Sequence, residues 1–200
     1  MRDGYPLGPD GVYRSIQGEG DLMGVPMVFI RLAGCSVGCP LCDTDYRVAS
    51  RATAGEIAAR AAEVRDGARW AWITGGEPTD HDCRPLAAAL RSVGFAVALA
   101  TSGVRAMPGR WTSDLDYLSV SPHDPGRWGQ RAGQELKLVP GLNGFGLDAF
   151  EAMLLDTAFG SHWAIPCDGK PETVAECVGF VRRHPRFRVG IQAHKAWGLA

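Results

Sequence analysis

Met27-Val-Phe-Ile-Arg-Leu-Ala-Gly-Cys35-Ser-Val-Gly-Cys39-Pro-Leu-Cys42-Asp43-Thr44 is the stretch on which the fold turns. Its first six residues form a nearly unbroken apolar run between Pro26 and Gly34, the pattern of a strand buried on both faces. Three thiols follow at once. Chemically active groups just beyond the C-terminal end of a strand are the habit of α/β folds. Thiolates this close together can converge on one soft metal centre. Three of them are one short of a closed tetrahedral zinc site, and one short of full ligation of a [4Fe–4S] cluster. Zinc stays open at this point, because His81 and Cys83 could supply a fourth ligand. Arg31 is the exception in the apolar run. It either projects at the strand end or holds an anion inside the fold.

The same arrangement recurs along the chain. Trp70–Ile73 is a strand that delivers Thr74-Gly-Gly-Glu77-Pro78, and residues 96–100 deliver Thr101-Ser-Gly103. Residues 115–120 deliver Ser121-Pro-His123, and further strands are expected at 135–139, 163–167 and, late and short, 188–192. Thr53-Ala-Gly-Glu56 has the capping-box pattern for a helix running to about Asp66. A second helix, with Asp82 as its cap, carries the stripe Leu86, Ala89, Leu90, Val93 and stops at Gly94. Leu147, Phe150, Met153 and Leu154 mark a third helix. Pro171 starts a fourth, with the stripe Val174, Cys177, Val178, Val181, which places Cys177 in the core. Upstream, residues 1–11 read as a loose N-terminal arm, and 12–16 as a short strand entering Gln17-Gly-Glu19-Gly20. Such a loop is either an ordinary glycine turn with a solvated glutamate, or a place where backbone and carboxylate approach a ligand. A glutamate there suits the two N–H donors of a guanidine-like ring edge.

Alternating strands and helices predict a largely parallel sheet with right-handed crossovers. A complete (β/α)8 barrel takes about 250 residues. With 200, an α/β fold of the incomplete, open (β/α)-barrel type with about six parallel strands is expected, as one domain over 1–200 with a tail at 193–200 closing the site. Net charge is −1 with 22% charged residues, which gives no nucleic-acid-binding surface. Six cysteines, half of them in one loop, fit a reducing compartment better than a disulfide framework. No apolar run approaches membrane-spanning length, so a cytoplasmic location without membrane contact is expected.

The C-x3-C-x2-C loop resembles that of the radical S-adenosylmethionine (SAM) enzymes, and Gly75-Gly-Glu77-Pro78 resembles their GGEP motif. Within them, the chain resembles the 7-carboxy-7-deazaguanine synthase family through Ser15-Ile-Gln-Gly-Glu-Gly20, Arg31-Leu-Ala-Gly-Cys35, Cys42-Asp-Thr44, Thr74-Gly-Gly-Glu-Pro78, Thr101-Ser-Gly103, Glu135-Leu-Lys137 and Gln192-Ala-His-Lys195. The resemblance implies conversion of 6-carboxy-5,6,7,8-tetrahydropterin to 7-carboxy-7-deazaguanine and ammonia, with SAM as a reusable cofactor whose radical takes hydrogen from the pterin. It implies a [4Fe–4S] cluster on Cys35, Cys39 and Cys42, and Mg2+ at Thr44. Gln17, Gly18, Glu19, Gly20, Arg31, Thr74, Gln192, His194 and Ala200 would contact the pterin. Gly75, Gly76, Glu77, Thr101, Ser102, Ser121, Pro122, His123, Ile165, Pro166, Cys167 and Asp168 would contact SAM. A reductant protein such as flavodoxin or ferredoxin, and a homodimer, are implied partners. Ala100, His123 and Ile165 depart from residues common in that family, where glutamate, lysine and glutamine are frequent. The competing readings are a radical SAM activase acting on a partner protein's glycine, and a zinc or iron–sulfur module without catalysis.

Overall fold

The computed structural model describes residues 4–40, 42, 44–109, 114–167 and 170–199. Of the expected site residues, Asp168 and Ala200 lie outside them. Among the described residues nine strands form one mostly parallel, open sheet: β1 (Tyr5–Ile16), β2 (Pro26–Leu32), β3 (Ser50–Ala52), β4 (Trp70–Gly75), β5 (Ala96–Thr101), β6 (Tyr117–Val120), β7 (Ala132–Leu138), β8 (Ala158–Ala164) and β9 (Arg188–Val189). Their order is β3-β1-β2-β4-β5-β6-β7-β8-β9. From β2 to β9 every neighbour pairs in parallel, while β1 is antiparallel to both β2 and β3. The α-helices among the described residues include α1 (Ala54–Glu63), α2 (Arg84–Ser92), α3 (Glu172–Arg183) and the short α4 (Ala193–Ala196). None is long and apolar enough to cross a membrane among the described residues.

Strand alternation separates two chemistries. Val28, Ile30 and Leu32 of β2, Ala71 and Ile73 of β4, and Val97 and Leu99 of β5 face one side and pack with Ile57, Leu86 and Leu90 of α1 and α2. Leu136 and Leu138 of β7 continue that layer against Cys177 and Phe180 of α3. The opposite face of the same strands carries Met27, Phe29, Trp72 and Ala98, then Arg31 and Thr74, then Ser119, Glu135 and Lys137 toward the C-terminal ends. An apolar bottom and a polar top on this face are what a ligand cleft requires. The capping box forms as the sequence predicts: Glu56 N–H donates to Thr53 Oγ1 and Thr53 N–H to Glu56 Oε2.

Five local expectations are corrected. Residues 5–10 are not a loose arm, because β1 begins at Tyr5. Leu7 pairs with Leu32 and is fully buried, and a bulge before Val12 absorbs the Gly-Pro-Asp-Gly segment that resembles a turn. Cys83, not Asp82, is the N-cap of α2; the Asp82 carboxylate instead accepts from Arg84 N–H at 3.1 Å. Leu147–Asp156 is a 3-10 helix rather than an α-helix, with Leu147, Phe150 and Leu154 inward. The eighth strand starts at Ala158 and stops at Ala164, so Ile165 to Cys167 lie beyond it, and the ninth is only Arg188–Val189. On α3 the buried face is Thr173, Cys177 and Phe180, and Val174 is exposed. The helix is rotated because the Thr173 hydroxyl accepts from Cys167 N–H and donates to Lys170 O, tying the helix start to the loop after β8.

Candidate active site

Two adjoining cavities, of about 390 and 300 Å3, open at the C-terminal ends of the parallel strands and share Glu19, Thr44, Thr74, Ala100, Lys137, Gln192 and Lys195. Volumes of this size suit small ligands. The first is floored by Tyr13, Phe29 and Trp72, with Tyr13 and Phe29 stacked at 5.4 Å. Its polar wall includes Gln17, Glu19, Arg31 and His194, with the Asp10 and Asp45 carboxylates at its side. The second is lined by Cys35, Cys39 and Cys42, by Gly75, Gly76 and Glu77, and by Thr101, Ser102, Ser121, His123 and Cys167.

The two glycines after β4 are required by their neighbours. A Cβ on Gly75 would lie 2.0 Å from Leu32 O, and one on Gly76 would lie 1.7 Å from Gly34 O. Gly76 N–H donates to Leu32 O and Glu77 N–H to Gly34 O, both at 3.0 Å. The loop is therefore laced to the root of the cysteine loop. The Glu77 carboxylate is buried and turned the other way. Its Oε1 accepts from Thr79 N, Thr79 Oγ1 and Thr101 Oγ1 at 3.0, 2.7 and 2.6 Å, and its Oε2 from Ser102 N at 2.8 Å and the Ser102 hydroxyl. Glu77 thus locks the loops after β4 and β5 together at the cavity wall.

In the cysteine loop, Ser36 donates through N–H and hydroxyl to Asp80, at 2.8 and 2.7 Å, and Asp80 is held by Arg105. Burial and the nearby Cys42 and Cys35 push the Cys39 thiol up to about 11. His123 Nδ1 lies 3.0 Å from Cys39 Sγ, and burial holds its imidazole below the ordinary histidine value. None of the three thiols is in a disulfide. Among the described residues no three His, Cys, Asp or Glu side chains meet the spacing of a preformed metal site, so the donors share a cavity without being drawn onto one point. His81 and Cys83 do not join them. Cys83 is buried, donates to Pro78 O and is pushed up to about 12 by burial; His81 Nε2 lies 3.3 Å from Ala33 O.

On the other side, Gln17 folds onto its own loop and accepts from Gly18 and Glu19 N–H at 2.9 and 3.2 Å. Gly18 O accepts from Ala193 N–H, and a Cβ on Gly18 would lie 2.2 Å from His194 Nδ1, so this loop and α4 close on each other. Glu19 Oε2 accepts from Lys137 Nζ and Oε1 from Gln192 Nε2, each at 2.8 Å. Burial pushes the Glu19 carboxyl up, but the Lys137 ammonium, with Gln192 and His194, outweighs it and leaves the acid below its ordinary value. Arg31 donates to the Tyr13 hydroxyl and, at 3.5 Å, to Thr44 Oγ1. Its Nε is 3.1 Å from Asp10 Oδ2 but off the line of a hydrogen bond, which leaves a buried N–H unsatisfied beside the cavity. The Asp10 carboxylate already balances part of the guanidinium charge there.

The structure thus brings Gln17, Gly18, Glu19, Arg31, Thr74, Gln192 and His194 to one cavity, and Gly75, Gly76, Glu77, Thr101, Ser102, Ser121, His123, Cys167 and the three thiols to the other, with Thr44 at both. Gly20, Pro122, Ile165 and Pro166 line neither. Gly20 has φ +69° and faces Glu135, whose Oε2 would be 1.9 Å from an added Cβ; Ile165 is fully buried against Gly190. Lys137 was not among the residues singled out for the site, although it lines both cavities. Its signal was Glu135 and Lys137 at i and i+2 of a strand, two ionisable groups on one face with leucines on the other.

No family model matches the chain. It is 32% identical to the 7-carboxy-7-deazaguanine synthase of Bradyrhizobium diazoefficiens over 94% of this chain and 96% of that protein. It is 31% identical to the enzyme of the same name from Bacteroides thetaiotaomicron, over 92% and 93%. Among solved structures, the crystal structure of QueE from Escherichia coli superposes with a TM-score of 0.72 at 26% identity, covering 95% of this chain and 94% of that one.

Proposed function

This chain belongs to the 7-carboxy-7-deazaguanine synthase family, and we propose that it converts 6-carboxy-5,6,7,8-tetrahydropterin to 7-carboxy-7-deazaguanine with loss of ammonia. The observation that carries this reading is the pairing of a three-thiol cavity with an aromatic-floored cavity that sets Glu19 and Arg31 into its polar wall, joined through shared walls. Family membership supports radical SAM cofactors in general. The donor set fits the particular ones: three free thiols in one cavity suit iron rather than a hard ion. The Thr44 hydroxyl, at both cavities, suits Mg2+. Cys35, Cys39 and Cys42 would hold the cluster and Thr44 would contribute to Mg2+. When bound, the cluster and SAM supply the hydrogen-atom chemistry.

The chain's own residues position and sort. Tyr13, Phe29 and Trp72 give a planar bicyclic ring an apolar floor. Glu19 accepts from the N–H groups of its aminopyrimidinone edge. Arg31, ion-paired with Asp10, faces the carboxylate end with Thr44. Gly18 and His194 bring α4 over the opening and help exclude water. Glu77 keeps the SAM-side loops in register through Thr101 and Ser102. A single domain, a homodimer, a cytoplasmic location and a reductant protein of the flavodoxin or ferredoxin type complete the reading. Incubating the reconstituted protein anaerobically with reductant, SAM and the carboxypterin, with no protein partner, should yield the deazapurine. A requirement for a second protein as hydrogen donor would overturn it in favour of an activase.

A further inference from the structure

We propose that Lys137 determines specificity at this site: by holding Glu19 as an acceptor-only carboxylate in fixed orientation, it makes the cavity select a ring edge with two adjacent N–H donors. The inference rests on the pterin reading above and deepens it. Lys137 stands on β7, its ammonium 2.8 Å from Glu19 Oε2 and 6.0 Å from the centre of the Trp72 ring. Its side chain is 7% exposed and that of Glu19 16%, so water screens the pair little. The Gln192 amide holds the other oxygen at 2.8 Å.

The counting is specific. A carboxylate offers about four lone-pair directions, two per oxygen. Lys137 takes one on Oε2 and Gln192 one on Oε1, which leaves one on each oxygen. Two parallel acceptors complement the adjacent ring N–H and 2-amino group of an aminopyrimidinone. An edge with a carbonyl in place of the amino group would set acceptor against acceptor in a buried place. Glu135, on the same face of β7, also draws on Lys137, while His194 and His123 approach the pair from the tail and from the loop after β6. Arg31 and Lys195 share the cavity. Of these, the Lys137 ammonium is in hydrogen-bond contact with Glu19, at 2.8 Å. Without it, burial favours the neutral acid, which presents one donor and one acceptor and no longer matches the pterin edge.

Two readouts test this on the cluster-reconstituted protein. Infrared difference spectra against E19Q, taken without substrate, isolate the Glu19 stretch. We expect an ionised carboxylate in the wild type and in K137R, and a protonated acid in K137M. Turnover of the carboxypterin is then compared with that of its 2-oxo analogue, 6-carboxytetrahydrolumazine. The wild type should prefer the pterin by ~10^4 or more in kcat/KM, the scale of sites that hydrogen-bond what they select. K137M should raise KM for the pterin at least ~30-fold and cut the preference below ~100, with K137R restoring most of it. An ionised Glu19 in K137M, or an undiminished preference, refutes the role of Lys137. If K137M misfolds by circular dichroism, the wild-type and K137R preferences decide: a wild type that turns over both compounds equally refutes the proposal. A wild type that ignores the carboxypterin while the infrared result holds refutes the substrate reading instead.

Discussion

Replacing Glu77 by Gln tests how the SAM-side wall is held. Five donors converge on this carboxylate, and two of them are backbone N–H groups that cannot turn away: Thr79 N–H on Oε1 and Ser102 N–H on Oε2. Whichever way the new amide lies, its NH2 faces one of those N–H groups. The hydroxyls of Thr79, Thr101 and Ser102 can rotate to accept, so one unsatisfied donor is the minimum cost, about 1–3 kcal/mol. The bonds that remain change from charge-assisted to neutral, which weakens each of them. A total near 3 kcal/mol follows, and for a chain of this size about 2–4 °C per kcal/mol gives a fall in Tm of roughly 6–12 °C. Circular dichroism melts of the reduced, cluster-free protein read this directly. The same variant should take up cluster but bind SAM weakly, because the strands and the cysteine loop stay while the β4–β5 wall loosens. A Tm within ~2 °C of wild type would refute the reasoning, since such a result means the five bonds do not hold the loops.

Other expectations are separable. Gly76→Ala should abolish cluster uptake, measured as iron per chain, because its Cβ would meet Gly34 O at 1.7 Å and only a shift of the cysteine loop relieves that; full iron content would count against the packing. E19Q should cut turnover at least ~100-fold with cluster absorbance unchanged, and loss of the cluster would show that Glu19 serves the fold instead. Leu90→Ala, deleting a fully buried side chain of α2, should cost about 2–5 kcal/mol in denaturant unfolding. Acid stability should also depend on Glu19. Its folded pKa lies below the ordinary 4.5, so its contribution is present above about pH 4.5 and is lost as pH falls through the lower folded value. Lys137, raised above 10.5, contributes below that pH and loses its contribution as pH rises through the higher folded value. Between those limits the wild type should exceed E19Q in stability, and the difference should shrink on acidification.

Much of this was legible because the signal lay in strand ends. Met27–Leu32 and Trp70–Gly75 are apolar on both faces apart from Arg31 and Thr74 near their ends, so their strand character and the loops they deliver followed from local pattern. Tyr5–Asp10 did not read as strand, because Gly8, Pro9 and Gly11 imitate a turn while the pairing of Leu7 with Leu32 is a tertiary fact. The α3 stripe was misphased for a similar reason: a threonine fixed by the loop after β8 outweighs an exposed valine. Gly75 and Gly76 were expected to admit a ligand, and the structure adds that neighbouring backbone excludes any Cβ there. Lys137 stands in the Glu135-Leu-Lys137 motif without a site role of its own, because that role depends on Glu19, 118 residues earlier in the chain.

The central claim is that the two cavities act as one synthase site, and the most direct measurement is the balance of SAM against product. Under anaerobic turnover with reductant and carboxypterin, many molecules of 7-carboxy-7-deazaguanine should form per SAM consumed, with ammonia released in equal amount to product. Consumption of SAM without any deazapurine would contradict the account.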